Sequence, residues 1–205
     1  MILYQKQKME NAIAYFASEY RRRKGRSLTQ TWIYKFLALL DFRVLKKTGT
    51  PCLGIEYHAM KMGPVPIIIY GKAKKKTDKQ QIYKGEKFKF SPDDGQVSVI
   101  NTQEPDLDFF SDLELDEMDA ILDEGTTDDA NLNRIIEKAH EEIRAWGIAW
   151  EKALKENKRA MPMDYTEEFE GITEKPAEEL TPEEDRYLCY RGMLIKEKEV
   201  SANCA

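Results

Sequence analysis

The most apolar and best punctuated segment of the chain covers residues 28–72, and it constrains the fold more than any other feature. Thr29 can cap a helix, apolar residues follow at helical spacing, and Gly49 can end that helix. The periodic apolar residues are Ile33, Phe36, Leu37, Leu40 and Val44. The segment continues past a Gly63-Pro64-Val65 corner and contains no catalytic motif. We therefore predict a packing and docking core in a protein that acts by binding.

Apolar spacing predicts helices over most of the remaining chain. Ser111 and Glu114 form a capping box ahead of one of them, and Gly125-Thr126-Thr127 is expected to break that helix. Thr127 or Asp128 is expected to cap the next. The predicted helices cover residues 6–23, 30–48, 112–124, about 128–143 with a continuing or kinked helix to 158, and a last amphipathic helix that starts at Thr181-Pro182.

Two segments are harder to assign. Residues 55–62 are predicted to form a short helix, and residues 64–73 another, because proline favours a first helical position. The β-rich composition of residues 65–70 leaves a buried strand as the alternative. After a polar linker at 74–81, a hairpin is predicted at about 82–101, with its turn at Asp94-Gly95 and Ile82-Tyr83 as a further strand.

These elements predict a mainly α fold (α+β class): a compact helical domain with a small antiparallel β insertion and a C-terminal arm that ends in a helix. We place the helical domain at residues 1–158 and the acidic arm with its amphipathic helix at 159–205. Residues 161–185 are rich in proline and acidic residues, and this composition predicts an extended or disordered conformation.

The net charge of −5 conceals a strong polarity along the chain. Residues 1–90 contain 20 lysines and arginines against 6 acidic residues, whereas residues 91–205 contain 12 against 31. One interpretation is that the two halves neutralise each other within one fold. The other is that one half is reserved for an oppositely charged partner, which predicts salt-sensitive association.

Several functional classes lack their sequence signals. No apolar run reaches the roughly 18–20 residues of a membrane span, and the first residues do not resemble a secretory signal. The three cysteines are far apart and have no zinc spacing, so we expect reduced thiols in the cytoplasm. There is neither a P-loop nor a dinucleotide fingerprint. We expect no enzyme activity, no cofactor, no metal and no membrane partner, and leave the oligomeric state open.

The two histidines carry the remaining chemical alternatives. Cys52 and His58 could form a catalytic pair, and His140 could serve a hydrolase or nuclease with nearby acids. His140 and Trp146 more simply predict a packed corner, or an aromatic anchor that faces a partner. The basic cluster Arg21–Lys24 fits a helix C-terminus better than a nucleic-acid arm, and a nucleic-acid-binding regulator is kept as an alternative.

The order and spacing of these motifs resemble the Panacea domain family, which comprises SocA-like antitoxins related to the phage-associated Gep proteins. The resemblance covers about residues 6–155, and its most diagnostic feature is Gly63-Pro64-Val65 with Tyr70 downstream. The other matching blocks are Leu28-Thr29, Tyr34 to Leu37, Leu40 to Phe42, Lys47 to Pro51, Phe110-Ser111 with Glu114 and Leu115, and Ala139 to Glu142 followed by Trp146.

The resemblance implies a non-enzymatic antitoxin that neutralises a cognate protein toxin by direct binding. It also implies the alternative of an adaptor that hands a toxin to the ClpXP protease. The candidate partner-binding or family-motif residues are Lys35, Asp41, Gly63, Pro64, Val65, Tyr70, His140, Glu141 and Trp146.

Overall fold

The computed structural model describes residues 2–73, 85–93 and 95–203, and its architecture confirms the mainly α prediction. The helices are α1 (Gln5–Lys24), α2 (Gln30–Thr48), α3 (Ile67–Ala73), α4 (Asp112–Thr126), α5 (Leu132–Glu142), α6 (Arg144–Lys155) and α7 (Pro182–Asn203). The strands are β1 (Leu28–Thr29), β2 (Tyr57–Met60), β3 (Gly63–Pro66), β4 (Phe88–Asp93), β5 (Gln96–Asn101) and β6 (Met161–Pro162). Short 3₁₀ turns occur at Leu107–Phe109, Tyr165–Glu168 and Ala177–Glu179.

Helix α2 lies at the centre, and the predicted bounds of α1 and α2 are confirmed. All of residues 32–42 of α2 are buried, because the helix contacts α1, α4, α5, α7 and β3 on different sides. Gly49 ends α2 at φ +78°, and its N–H donates to the Leu45 carbonyl. A Cβ on Gly49 would lie 2.3 Å from the carbonyl oxygen of Glu183, so this glycine also admits the start of α7.

The strands form two antiparallel sheets, with strand orders β1-β5-β4 and β3-β2-β6. The predicted hairpin is confirmed as β4 and β5, which pair from Phe88↔Asn101 to Asp93↔Gln96. Gly95 takes φ +80° at the turn, as the Asp-Gly signal predicts. The linker at 74–81, the strand at Ile82-Tyr83, and Asp94 itself lie outside the described residues.

The helix predicted at residues 55–62 is wrong, and the helix predicted from Pro64 starts three residues late. Both segments begin as strands: β2 pairs with β3 on one side and with β6 on the other. Because β3 is an edge strand, a proline at position 64 costs no ladder hydrogen bond. The buried-strand alternative is therefore correct for β3, and Ile67–Ala73 follows as α3.

Of two predicted punctuation points in the second half, one is confirmed and one is wrong. Helix α4 ends within the predicted Gly125-Thr126-Thr127 segment, with Thr127 as its C-cap. Gly125 itself lies within the last turn, where a Cβ would come within 2.4 Å of the Phe36 ring. This glycine therefore lets α4 approach α2 closely. The cap of α5 is Asn131, whose side chain accepts from the Arg134 N–H, and not Thr127 or Asp128. The capping box of Ser111 and Glu114 is confirmed.

The extended or disordered conformation predicted for residues 161–185 is wrong. Met161 and Ile172 are buried in the core cluster, and Tyr165 stacks on Phe42 with ring centroids 4.8 Å apart. Glu168 accepts hydrogen bonds from the backbone N–H groups of Arg144 and Ala145, at the start of α6. The acidic composition is compatible with order because one of these acids caps a helix. The division at residue 158 stays a prediction.

Part of the charge polarity is neutralised within the fold, as the first interpretation predicts. The partly buried guanidinium of Arg43 donates to Glu142 through two hydrogen bonds of 2.8 and 2.9 Å, and to Glu124 through one of 2.9 Å. Further ion pairs join the two halves: Lys8 with Glu114, Arg23 with Asp119 and Asp123, Lys46 with Glu168, and Lys47 with Glu117. Within the described ranges, no helix has the combination of length and apolar character needed to cross a bilayer.

Candidate functional site

Three of the predicted site residues converge at the corner between β2 and β3. Gly63 takes φ +94°, a conformation that favours glycine. A Cβ on Gly63 would lie 3.2 Å from Lys35 Nζ and 3.3 Å from His140 Nε2. Helices α2 and α5 therefore press a lysine and a histidine against the same backbone atom. We call Lys35, Gly63, Pro64, His140 and Trp146 the corner cluster.

Lys35 holds the corner from the side of α2. Its Nζ donates to the Pro64 carbonyl at 2.8 Å, on the outer edge of β3, where no neighbouring strand supplies an N–H donor. The side chain is buried, and burial lowers its pKa to about 7. Lys35 has no ion pair among the residues that the structure describes. An amine in this setting is more easily deprotonated than an ordinary lysine.

Trp146 holds the corner from the side of α6. Its indole Nε1 donates to the Met60 carbonyl at 3.1 Å, and its face stacks on the His140 ring. Burial, followed by the nearby charge of Lys35, lowers the pKa of His140, so the imidazole is neutral at pH 7. Its Nε2 is buried and has no hydrogen-bond partner among the described residues. The Trp150 ring lies nearly parallel to that of Trp146, with ring centroids 6.5 Å apart.

Two further predicted residues border the corner cluster. Val65 is buried on β3 and pairs in register with His58 on β2. Tyr70 on α3 contacts Tyr34 edge to face, with ring centroids 6.3 Å apart. The hydroxyl of Tyr34 is buried without a hydrogen-bond partner in the described part of the chain, and burial raises its pKa. Val65 and Tyr70 thus contribute packing beside the cluster.

Asp41 lies in a separate buried site on α2. Its Oδ1 accepts from the backbone N–H groups of Leu53 and Gly54, and its Oδ2 accepts from the hydroxyls of Tyr57 and Tyr165. Burial raises the pKa of Asp41 to about 6, against the opposing effect of these hydrogen bonds. The carboxyl therefore joins α2, the following loop, β2 and the C-terminal arm.

Glu141 lies apart from both sites, because its side chain is exposed on α5. Its neighbour Glu142 is the acid that pairs with Arg43, and sequence reasoning did not select it. Tyr165 was missed as well, since its acidic surroundings gave no packing signal. The spacing of Lys138 and Glu142, four residues apart on one helix, was the available signal for Glu142.

Cys52 lies in the loop after α2, and His58 lies on β2. Burial raises the pKa of the Cys52 thiol well above its ordinary value, which disfavours the nucleophilic thiolate. His58 lies on β2, between Val65 and Pro162 of the flanking strands. Over residues 2–73, 85–93 and 95–203, no three His, Cys, Asp or Glu side chains form a group that could hold a metal. What the corner cluster offers chemically is hydrogen bonding and aromatic packing.

Comparison with known proteins gives one family. The family model described as "Antitoxin SocA-like, Panacea domain" matches residues 33–147. This range contains Lys35, the Gly63-Pro64 corner, His140 and Trp146. No curated protein and no solved structure gives a match.

Proposed function

Because the chain belongs to the SocA-like antitoxin family, which is defined by the Panacea domain, we propose that it neutralises a protein toxin by direct, non-catalytic binding. The observation that carries this proposal is the family match over residues 33–147, which includes all five residues of the corner cluster. The cluster fixes the relative positions of α2, α5, α6 and the β2–β3 hairpin through two hydrogen bonds and the stack of His140 on Trp146. A rigid scaffold of this kind lowers the entropic cost of holding a partner.

The electrostatics support a protein partner over a nucleic acid. Several basic side chains of the first half, such as Arg23, Arg43 and Lys47, are engaged with carboxylates of the second half. A nucleic-acid-binding surface requires lysines and arginines that are free to displace counterions. Their internal pairing makes a regulator of this type the weaker candidate.

Co-expression tests the proposal directly. The chain and the product of its neighbouring gene are expressed from two separate promoters. Growth of the cells is measured, and the chain is purified through a tag to test whether the gene product is recovered with it. We expect restored growth and co-purification in a fixed stoichiometry. Absence of both would overturn the proposal.

The same cells separate sequestration from delivery to ClpXP. Under sequestration the half-life of the neighbouring gene product stays unchanged or lengthens when the chain is present. A half-life that falls, and that recovers in cells lacking the ClpX unfoldase, would replace sequestration by the adaptor function.

A further inference from the structure

A groove of about 1000 Å³ runs along α7. Its α7 wall is lined by Arg186, Cys189 and Met193, and the lining residues from other elements, Leu3 and Phe109 among them, form the opposing part of the lining. We call it the α7 groove. It is separate from the corner cluster, whose residues do not line it. Met193 is 61% exposed and Leu3 is 75% exposed, so apolar side chains on both walls face solvent.

The charges around the α7 groove leave an acidic excess on one wall. Lys8 is neutralised by Glu114 on the floor, and Arg186 by Glu183 beside the α7 wall. Asp106 and Asp108 line the opposite wall, are exposed, and have no ion pair within the described ranges. Several acids of α4 and α5, such as Glu117 and Glu142, are matched by cations of the first half, whereas Asp106 and Asp108 are not. An occupant with basic residues on that side would complement them.

The elements that line the groove indicate the conformation of its occupant. All of the lining residues belong to helices, turns or loops, so the groove offers no strand edge for β-augmentation. The α7 wall is built from positions 186, 189, 190 and 193, which form one stripe at helical spacing. A stripe of this kind accepts the apolar face of a second helix.

We propose that the α7 groove binds an amphipathic helical segment of the toxin, with apolar residues against Met193 and lysine or arginine residues against Asp106 and Asp108. This inference rests on the proposed function, because it takes the occupant to be the toxin. It extends that function by naming the surface and the chemistry of the segment that it receives.

The test compares two exposed apolar residues on different helices. Met193→Glu places a charge in the groove, whereas Leu154→Glu places one on α6, where the side chain is 56% exposed and outside the groove. Binding of each variant to the purified product of the neighbouring gene is measured by titration, after circular dichroism has checked the fold. We expect Met193→Glu to weaken binding by about tenfold or more and Leu154→Glu to leave it unchanged.

A second pair of variants tests the acidic wall. Asp106→Asn with Asp108→Asn removes two charges at the groove, and Glu137→Gln with Glu151→Gln removes two from exposed, unpaired positions elsewhere in the described chain. The first pair is expected to weaken binding by about threefold and to reduce its salt dependence, since rim charges act through screened attraction. The second pair of substitutions should change neither the binding affinity nor its salt dependence.

Cys189 supplies a direct report of occupancy, because its thiol is exposed in the groove while Cys52 is buried. In a Cys204→Ser background, we expect iodoacetamide to modify Cys189 in the free chain and much more slowly in the complex. Unchanged labelling in the complex, together with equal binding by Met193→Glu and Leu154→Glu, would overturn the groove but leave toxin neutralisation standing.

Two other outcomes overturn the proposal for different reasons. If the unmodified chain neither binds the gene product nor restores growth, the proposed function fails and the groove assignment fails with it. If Met193→Glu dissociates a homodimer in the absence of the gene product, the occupant is a second copy of the chain.

Discussion

His140 lies face to face with Trp146, with ring centroids 3.6 Å apart and ring planes within 3° of parallel. The stack joins the last turn of α5 to the first turn of α6, across the break at Ile143. Trp146 in turn donates to the Met60 carbonyl, and His140 closes over Gly63. One aromatic pair thus fixes the angle between two helices and the position of the β2–β3 corner.

The stack predicts that the shape of the His140 ring matters more for stability than its nitrogen atoms. His140→Phe keeps an aromatic ring against Trp146, and it removes no hydrogen bond at Nε2 because that atom has no partner among the described residues. We expect it to change the free energy of unfolding by less than about 0.5 kcal/mol, whereas His140→Ala should lower it by about 1–2 kcal/mol. Urea denaturation measures both. Equal losses in the two variants would show that the imidazole nitrogens make a stabilising contact.

Gly63→Ala is predicted to be destabilising for two reasons, left-handed backbone strain and crowding by Lys35 and His140. Gly25→Ala is the matched control, because Gly25 has φ +66° but nothing within 4 Å of a Cβ. Strain alone costs about 1 kcal/mol, and crowding should bring Gly63→Ala to about 2–3 kcal/mol. Denaturant midpoints of the two variants give the difference. A Gly63→Ala loss no larger than that of Gly25→Ala would contradict the close approach.

Lys35 is predicted to make stability depend on pH in the alkaline range. Burial lowers its folded-state pKa to about 7, against about 10.4 for an unfolded chain. Between these values the unfolded chain binds a proton that the folded chain lacks, so the free energy of unfolding rises as pH increases. We expect a gain of about 2 kcal/mol between pH 7 and pH 9.

Lys35→Met is the control for this pH dependence, because it removes the titrating amine but retains much of the buried volume. The gain between pH 7 and pH 9 should disappear in the variant. His140 adds little, because an unfolded histidine with a pKa of about 6.5 is mostly neutral above pH 7 and burial lowers the folded-state pKa further. A parallel rise in both proteins would show that another group titrates.

The packed arm predicts that Tyr165 contributes to the stability of the whole chain. Its hydroxyl lies 3.0 Å from Asp41 Oδ2 and 2.7 Å from the Ile55 carbonyl, and both contacts are sheltered from solvent. Tyr165→Phe removes the one hydroxyl proton that these two acceptors share, while Asp41 keeps its hydrogen bonds from Tyr57, Leu53 and Gly54. We expect a loss of about 1–3 kcal/mol.

The matched control is Tyr15→Phe, because the Tyr15 hydroxyl donates to Asp119 in an exposed contact of 2.7 Å. Water can replace that hydrogen bond, so the loss should stay below about 0.5 kcal/mol. Thermal unfolding of the two variants checks the difference. Similar midpoints would contradict the docking of residues 161–168 on the core.

Sequence predictions that depend on neighbouring residues were accurate, whereas those that depend on contacts between distant residues were not. The ends of α1 and α2 were predicted because Gly25 and Gly49 take left-handed conformations at the end of each helix, a property of the residue itself. Strand β2 was mistaken for a helix because its pairing depends partly on Met161, which lies about a hundred residues away. Pro64 resembled a helix start because nothing in the sequence shows that its strand lies at an edge.

In the candidate site, too, individual residues could be selected from the sequence, but their grouping in space could not. Lys35, Gly63, His140 and Trp146 were selected individually, but their meeting depends on how α2, α5 and α6 pack. Asp41 was selected with them and lies in another site. The order of residues 161–180 was missed because acidic composition gave no sign that Glu168 would cap α6 and Tyr165 would reach Asp41.

The most direct test of the account is a calorimetric binding titration of the purified chain with the purified product of its neighbouring gene. The account predicts a saturable complex with a dissociation constant of about 1 μM or tighter, formed without any protease or other component. Restored growth in cells combined with no detectable association in this titration would contradict direct neutralisation.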